Sequence, residues 1–289
     1  MWARFRPALL TVIVCGSEVS MHRLTALALS VPLLLGLSVA APAQSPSAQP
    51  AEYLYLLTIT VKSGSVPAYE SFQKKIVAAA EKIGAPQHWR TWAVMIGGPG
   101  RTFNLALPFN KWNEIDGWIA VPQMLNKAYG EAEGRRILAA GTAVIENSES
   151  SVLRLLPGLS VRPEAFNANS GYIHLFMTDV EPGMVPAWES YIGKLKAAQE
   201  KSPQYPSVVR RVSVLGSSNT YATAVGFSNF AARDSWPVND DVMRNAYGQT
   251  MADSLDGARL RATRNARQMV LMYRPELSRM GAGPAAASR

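Results

Sequence analysis

The nine residues from Gly64 to Phe72, "GSVPAYESF", return in altered form as "GMVPAWESY" from Gly183 to Tyr191. Six of the nine residues are identical, and two further positions exchange one aromatic residue for another. The match extends outward: "AYG" at 128–130 returns at 246–248, and "VLRLLPGLS" at 152–160 returns as "VLMYRPELS" at 270–278. Because the match continues along a whole unit, with shifts of only one residue as expected for loop insertions, the sequence predicts an internal duplication.

Each copy has the same predicted order of elements. In the first copy, a strand pattern begins at Tyr53, and a helix then begins at Pro67, since proline is tolerated in a first turn. The remaining predicted elements are strands from His88 and from Thr102 joined by "GGPG", a long helix from about Pro122 to Glu146, and a last strand from Ser151 to Leu156. This β-α-β-β-α-β order is typical of a ferredoxin-like unit.

The predicted strands are apolar on both faces, so one copy alone would leave an apolar sheet face uncovered. We therefore predict an α+β fold in which two tandem ferredoxin-like repeats, residues 52–157 and 172–278, form a pseudo-dimeric α+β barrel. Residues 158–171 are the predicted linker. We also expect Glu70 and Glu189 to lie where the helix dipole favours an acid, and Gly130 and Gly248 to mark a close approach of one helix to its neighbour.

The element order, the strand-Gly-x-Val-Pro helix starts and the closing "LPGLS" and "RPELS" resemble the dimeric α+β barrel superfamily. This superfamily includes antibiotic-biosynthesis-type monooxygenases, NIPSNAP-like proteins and tandem-fused haem enzymes of the chlorite dismutase type. The resemblance covers about Tyr53 to Ser278. It implies the fold more than an activity, because the superfamily hosts enzymes, haem binders and other proteins.

The N-terminal region has the pattern of a bacterial-type signal peptide, predicted to end at residue 43. His22 and Arg23 precede an apolar run that reaches the small-x-small site Ala41-Pro42-Ala43. Met21 is an alternative start, with residues 1–20 an extension. We expect a periplasmic or secreted protein with flexible ends at 44–51 and 279–289, no membrane span after cleavage, and no disulfide, because the one cysteine precedes the cleavage site.

Polar residues on otherwise apolar strands are the candidate functional groups. His174 and Asn104 are the predicted catalytic residues, and the alternative for His174 is a neutral core histidine. The predicted ligand-binding residues are Tyr55, Arg90, Trp92, Phe103, Phe176 and Arg210. Arg90 and Arg210 are expected at equivalent positions, either as an anion clamp or in salt bridges with Glu70, Glu189 or Asp179.

Several functional classes are disfavoured by the sequence. The formal charge is +8, but the basic residues are scattered, which is not the pattern of a nucleic-acid-binding protein. There is no Gly-rich phosphate loop, no G-x-S-x-G and no H-E-x-x-H, and we expect no metal site.

We therefore expect an exported protein that binds a small apolar or aromatic molecule and requires no cofactor. The alternatives are a cofactor-independent monooxygenase-like enzyme for quinol-like substrates, a haem-binding barrel that uses His174 as axial ligand, and a structural or partner-binding role. The expected assembly is a monomeric pseudo-dimer, and a further homodimer stays open.

Overall fold

The computed structural model describes residues 50–280, which form eight strands, seven helices and several short 3-10 turns. The strands are β1 (Tyr53–Val61), β2 (Arg90–Ile96), β3 (Thr102–Phe109), β4 (Ile145–Leu155), β5 (Tyr172–Val180), β6 (Val209–Leu215), β7 (Thr220–Phe227) and β8 (Thr263–Tyr273). The helices are α1 (Val66–Lys82), α2 (Val121–Tyr129), α3 (Glu131–Ala143), α4 (Val185–Glu200), α5 (Phe230–Asp234), α6 (Asn239–Tyr247) and α7 (Gln249–Ala262). The predicted signal peptide, residues 1–43, and most of the predicted tail, 279–289, lie outside the described residues.

The eight strands close into one barrel in the order β1-β3-β2-β8-β5-β7-β6-β4, with antiparallel neighbours. A step of four places around this ring takes β1 to β5, β3 to β7, β2 to β6 and β8 to β4. Strands four places apart run in the same direction, so equivalent strand ends lie at the same rim. An approximate two-fold axis therefore runs along the barrel, and the predicted α+β class and barrel are confirmed.

Alternating side chains of the strands build two kinds of core. One set points into the barrel and includes Val94, Leu153, Leu175 and Leu271. The opposite set packs under the helices, as Phe103 does with residues of α1 and α2. Burial of both faces explains why the strands read as apolar without a clear alternation. Among residues 50–280, no helix has the length and apolar character needed to cross a bilayer.

The first helix of each half begins with a proline in its first turn, as predicted. The expectation that Glu70 and Glu189 complement the helix dipole is wrong, because each is the fifth residue of its helix and neither first turn contains an acid. Glu70 instead forms an ion pair with Arg274 at 2.7 Å. Glu189 accepts a hydrogen bond from the Tyr221 hydroxyl at 2.8 Å. Both acids therefore hold their helices to other elements.

The long helix predicted for residues 122–146 is wrong, because α2 and α3 are separate helices that meet at Gly130. Its φ of +85°, like the +77° of Gly248 between α6 and α7, is a conformation that glycine adopts without steric cost. No atom lies within 4 Å of a Cβ built on either glycine, so the expected close helix approach is also wrong there. A close approach occurs instead at Gly141, where a Cβ would lie 2.3 Å from the Phe72 ring.

The strands β4 and β8, with 11 residues each, extend beyond their neighbours on one side. Prediction placed the start of β4 at Ser151, whereas the strand begins at Ile145, because its first half is polar and carries no apolar pattern. In the described part of the chain, residues 145–151 pair with β1 but not with β6, and residues 263–269 pair with β5 but not with β2.

The segments that follow β4 and β8 each cross to the other half of the chain. Ser160 Oγ accepts a hydrogen bond from the backbone N–H of Arg210 at 2.9 Å. Ser278 Oγ accepts the corresponding bond from Thr91 at 2.8 Å, and the Leu277 carbonyl accepts one from Trp89 Nε1 at 3.0 Å. The closing segment of each half therefore completes the packing of the other half.

Candidate functional site

The barrel interior contains a cavity of about 610 Å³ at the rim where the two hairpins turn. The β2–β3 turn contributes residues 97–99, and the β6–β7 turn contributes Gly216 and Ser217. The glycines let these turns approach the long strands closely: a Cβ at Gly97 would lie 2.1 Å from the Gln268 carbonyl oxygen, and one at Gly216 would lie 3.0 Å from Ser151 Cβ. The volume is typical of small-molecule sites, which range over roughly 300–1,000 Å³.

The first half of the chain supplies a polar wall. On neighbouring strands, Thr58 pairs with Asn104 on one side and with Glu149 on the other, and all three line the cavity. Asn104 is 4% exposed; its Oδ1 accepts a hydrogen bond from Thr58 Oγ1 at 2.9 Å, and its Nδ2 has no partner. If the amide were turned over, its two ends would exchange, and one polar atom of Asn104 would still lack a protein partner.

The second half supplies a different wall at the equivalent positions. Met177 pairs with Ala222 and Arg267, in the place of the Thr58, Asn104 and Glu149 row. Met177 and Met269 line the cavity together with Leu175. Methionine adapts to irregular apolar shapes and contacts aromatic rings favourably. The cavity therefore joins a wall that carries the hydrogen-bonding pair Thr58 and Asn104 to a wall that is apolar around Met177 and carries Arg267 at its rim.

Trp92, a predicted ligand-binding residue, also points into the barrel, but it is part of the packed interior. Its ring is buried and lies 5.9 Å from the ring of Tyr273, measured between centroids. Its Nε1 has no hydrogen-bond partner among the described residues. Trp92 and Asn104 are the two predicted site residues that occupy this apolar core or its cavity.

Four predicted site residues lie on the opposite faces of their strands, toward the helices: Tyr55, Phe103, His174 and Phe176. The ring centroid of Tyr55 lies 6.0 Å from that of Trp118, and that of Phe103 lies 4.7 Å from that of Tyr69. The structure therefore does not bring the six predicted aromatic and polar residues around one cavity.

His174 packs against Phe176 on the outer side of β5, with the two ring planes tilted by 33°. The His174 and Phe176 ring centroids are 4.1 Å apart, and Nδ1 of His174 is buried without a partner. Burial lowers the pKa of His174, the charge of Arg233 acts in the same direction, and a hydrogen bond with Gln268 opposes both. This environment favours the neutral imidazole, in line with the core-histidine alternative.

Arg90 and Arg210 are not equivalent positions. Thr91 and Arg210 make the matching backbone hydrogen bonds to Ser278 and Ser160, so the counterpart of Arg90 is Val209. The sequence alignment matched Arg90 with Arg210, whereas the structure matches Thr91 with Arg210, a difference of one residue. Since strand side chains alternate, a slip of one residue moves a side chain to the other face. The two arginines therefore cannot form one clamp.

Each arginine is held by neutral groups. Arg210 is buried on the helix side, where Nη2 donates to Gln199 Oε1 at 2.8 Å and Nη1 donates to the Leu159 carbonyl oxygen. Burial lowers the pKa of Arg210 to about 10. Arg90 Nε donates to Asn169 Oδ1 at 2.8 Å. Neither arginine lines the barrel cavity, and neither forms one of the salt bridges considered from the sequence.

Most of the residues that line the cavity were not among the predicted site residues. Thr58, Thr60 and Thr102 are hydroxyl residues near its rim, and Met177 and Arg267 face them from the second half. The signal was present in "TIT" at 58–60, where polar residues alternate within an apolar strand. Threonine is common in strands, however, so this signal does not distinguish a cavity from a solvent face. Among the described residues, no cluster of His, Cys, Asp and Glu could hold a metal ion.

Comparison with known proteins gives matches in structure alone. No protein-family profile matches the chain, and no curated protein matches its sequence. Structure neighbours include an anthrone oxidase-like protein, with 10% identity, coverage of 82% of this chain and 97% of the other, and a TM-score of 0.46. A candidate monooxygenase from Fusobacterium nucleatum subsp. nucleatum has 12% identity, coverages of 78% and 93%, and a TM-score of 0.47.

A chlorite dismutase from Candidatus Nitrospira defluvii has 9% identity, coverages of 77% and 92%, and a TM-score of 0.44. These values do not bear on activity or ligand. The class that the chain's own topology defines is a mixed α+β protein built on a closed, eight-stranded antiparallel barrel.

Proposed function

We propose that this chain binds a small, largely apolar or aromatic molecule inside the barrel, with one hydrogen-bonding group of the ligand at Asn104. The carrying observation is the amide of Asn104, which lines the cavity, is buried and keeps one polar atom without a protein partner. A buried polar group without a partner costs roughly 1–3 kcal/mol, so a ligand that supplies the partner gains affinity. The apolar wall around Met177 would hold the remainder of the ligand.

A comparison of two probes tests this proposal. 1-Naphthol carries one hydroxyl, and naphthalene has the same ring system without it. Wild-type protein should bind 1-naphthol about ten-fold more tightly than naphthalene, which corresponds to one hydrogen bond of about 1.4 kcal/mol. In Asn104→Leu the preference should disappear, because the variant fills a similar volume without a polar atom. Native mass spectrometry and thermal-shift titration give the two affinities.

Asn245→Leu is the matched control, since Asn245 is exposed on α6, outside the barrel. The proposal would be wrong if Asn104→Leu kept the wild-type preference, or if neither probe bound and the interior proved to be filled by side chains.

A second candidate is the oxidation of quinol-like substrates without a cofactor. It is favoured by Glu149, a carboxylate that lines the same cavity two strands from Asn104. In such an oxidation the quinol gives two electrons and two protons to dioxygen, which becomes hydrogen peroxide; Glu149 would accept the first proton and pass it on while Asn104 holds the substrate oxygen. Oxygen uptake with 1,4-dihydroxynaphthalene, lost in Glu149→Gln, would support it, whereas unchanged uptake would remove Glu149 from the reaction.

The cavity does not offer haem the axial ligand that was expected, which is His174. His174 lies on the opposite face of β5 from Leu175 and Met177, which line the cavity. A haem inside the barrel would therefore be out of reach of His174 as an axial ligand.

We further propose that the chain is exported after cleavage at residue 43, and that its halves arose by duplication of one ferredoxin-like unit. The signal-like segment supports the first statement. The identical strand pairing within β1–β4 and β5–β8 supports the second. N-terminal sequencing of the exported protein tests the cleavage site.

A further inference from the structure

The rim around the cavity mouth carries opposite charges on its two sides. Glu146 and Glu149 lie on the exposed first half of β4, and Arg264 and Arg267 occupy the equivalent positions of β8. Glu146 is paired with Arg101. Glu149 is contacted by the Asn147 amide, and Arg267 has no ion pair within residues 50–280. Glu149 and Arg267 are therefore unpaired charges on opposite sides of the mouth.

The same rim exposes apolar side chains and strand edges. Met95 and Ile96 precede the β2–β3 turn, Val214 and Leu215 precede the β6–β7 turn, and Ile96 and Leu215 are 51% and 56% exposed. Residues 145–151 of β4 and 263–269 of β8 each have one edge without a strand partner in the described part of the chain. Exposed apolar residues beside free strand edges are typical of surfaces that associate.

The barrel symmetry determines which surface could cover this rim. The two-fold axis of the barrel passes through the mouth, so Glu149 and Arg267 lie on opposite sides of it. A second two-fold axis, perpendicular to the barrel and to the line joining these residues, would place Glu149 of each copy against Arg267 of the other. The hairpin tips with Ile96 and Leu215 lie on the same rim, so the second copy would also cover these exposed apolar side chains. One operation therefore matches the opposite charges and buries the apolar tips.

We propose that two copies of this chain associate mouth to mouth through this rim, which is formed by the β2–β3 and β6–β7 turns and the first halves of β4 and β8. The interface is isologous, as in most homodimers. A second copy is favoured over a lipid surface because the rim carries both signs of charge, whereas an anionic bilayer would attract the arginines and repel Glu149. The association covers the cavity mouth of each copy with the mouth of the other.

A charge exchange tests the proposal directly. Protein purified after expression of the full-length sequence is followed by sedimentation velocity over a range of concentrations and salt. Wild type should form dimers that weaken as salt rises, because exposed charges are screened. Arg267→Glu and Glu149→Arg should each weaken the dimer at least about ten-fold, since each places like charges together. The double variant, with both charges exchanged, should return to within about three-fold of wild type.

Leu215→Asp and Leu260→Asp form the matched pair for the apolar tips. Leu260 is 58% exposed on α7. The dimer should be lost in Leu215→Asp and kept in Leu260→Asp. A wild-type protein that is monomeric at every concentration would overturn the proposal, as would a double variant no stronger than the single ones. If both leucine variants weakened the dimer equally, the interface would not lie at this rim and the proposal would be wrong. If monomers co-sedimented with anionic vesicles and Leu215→Asp abolished this, the rim would be a lipid-binding surface instead.

Discussion

At the scale of single residues, the two halves differ most where the barrel is hollow. Asn104 and Ala222 occupy equivalent positions, as do Thr58 and Met177. The equivalent strands of the two halves keep the same backbone pairing but differ in the polarity of their interior side chains. A symmetric barrel with two identical walls could not distinguish the ends of a ligand, whereas a barrel with Asn104 on one side and Met177 on the other can orient it.

His174 is expected to make the free energy of unfolding depend on pH. Its pKa in the folded chain is lowered from the ordinary value of 6.5, chiefly by burial. As the pH falls below 6.5, the unfolded chain binds a proton before the folded chain does, so this contribution to stability is present above that value and is lost below it. His174→Tyr, which introduces the residue found at Tyr55, should make the free energy of unfolding less sensitive to pH between about 7.5 and 5.5.

His88 provides the comparison, because its pKa is lowered in the same direction, chiefly by burial with the charges of Arg279 and Arg90. Urea unfolding of His88→Gln, of His174→Tyr and of the double variant at both pH values separates the two contributions. A His174→Tyr protein with the wild-type pH dependence would show that His174 is not shielded in the folded state.

At the scale of elements, the crossing segments after β4 and β8 are predicted to contribute unequally. Leu277 is fully buried against the first half, whereas its counterpart Leu159 is only partly buried against the second. Leu277→Ala should lower the free energy of unfolding by about 2–5 kcal/mol. Leu159→Ala should cost less, since part of its surface stays in water. Denaturant unfolding of both variants measures the difference, and an equal or reversed order would contradict the packing described here.

The helices and strands show which parts of the fold can be predicted from the sequence. The strands from Tyr53 and Tyr172 and the helix starts at Pro67 and Pro186 were predictable, because each pattern occurs twice in the sequence. The break at Gly130 was not, because the apolar spacing runs on through it and only the backbone conformation shows the turn. Cavity residues were largely missed, since both faces of each strand are apolar and alternation does not reveal which face is hollow.

The predicted pairing of Arg90 with Arg210 shows that an alignment error of one residue is enough to misplace a site residue. A slip of one residue in aligning two short strands leaves the element order unchanged but reverses the face of every side chain. Fold prediction tolerates such a slip, because it depends on the order and length of elements. Site prediction does not, because it depends on the direction of each side chain.

In the whole molecule, the cavity, the rim and the crossing segments are arranged about the approximate two-fold axis of the barrel. The barrel places both hairpins at one end, where Gly97 and Gly216 hold the turns beside β8 and β4. The cavity opens at that end, between the wall that carries Asn104 and the wall that carries Met177. A ligand is therefore expected to enter the barrel at Asn104 rather than the helix layer at His174.

Nuclear magnetic resonance of the isotope-labelled protein tests this choice most directly. The side-chain amide signals of Asn104 are assigned by their absence in Asn104→Leu, and 1-naphthol is then added in steps. The Asn104 amide and the Thr58 methyl signals should shift with one affinity, while the His174 ring signals stay in place. Shifts centred on His174 and Phe176, with the Asn104 amide unchanged, would contradict this prediction.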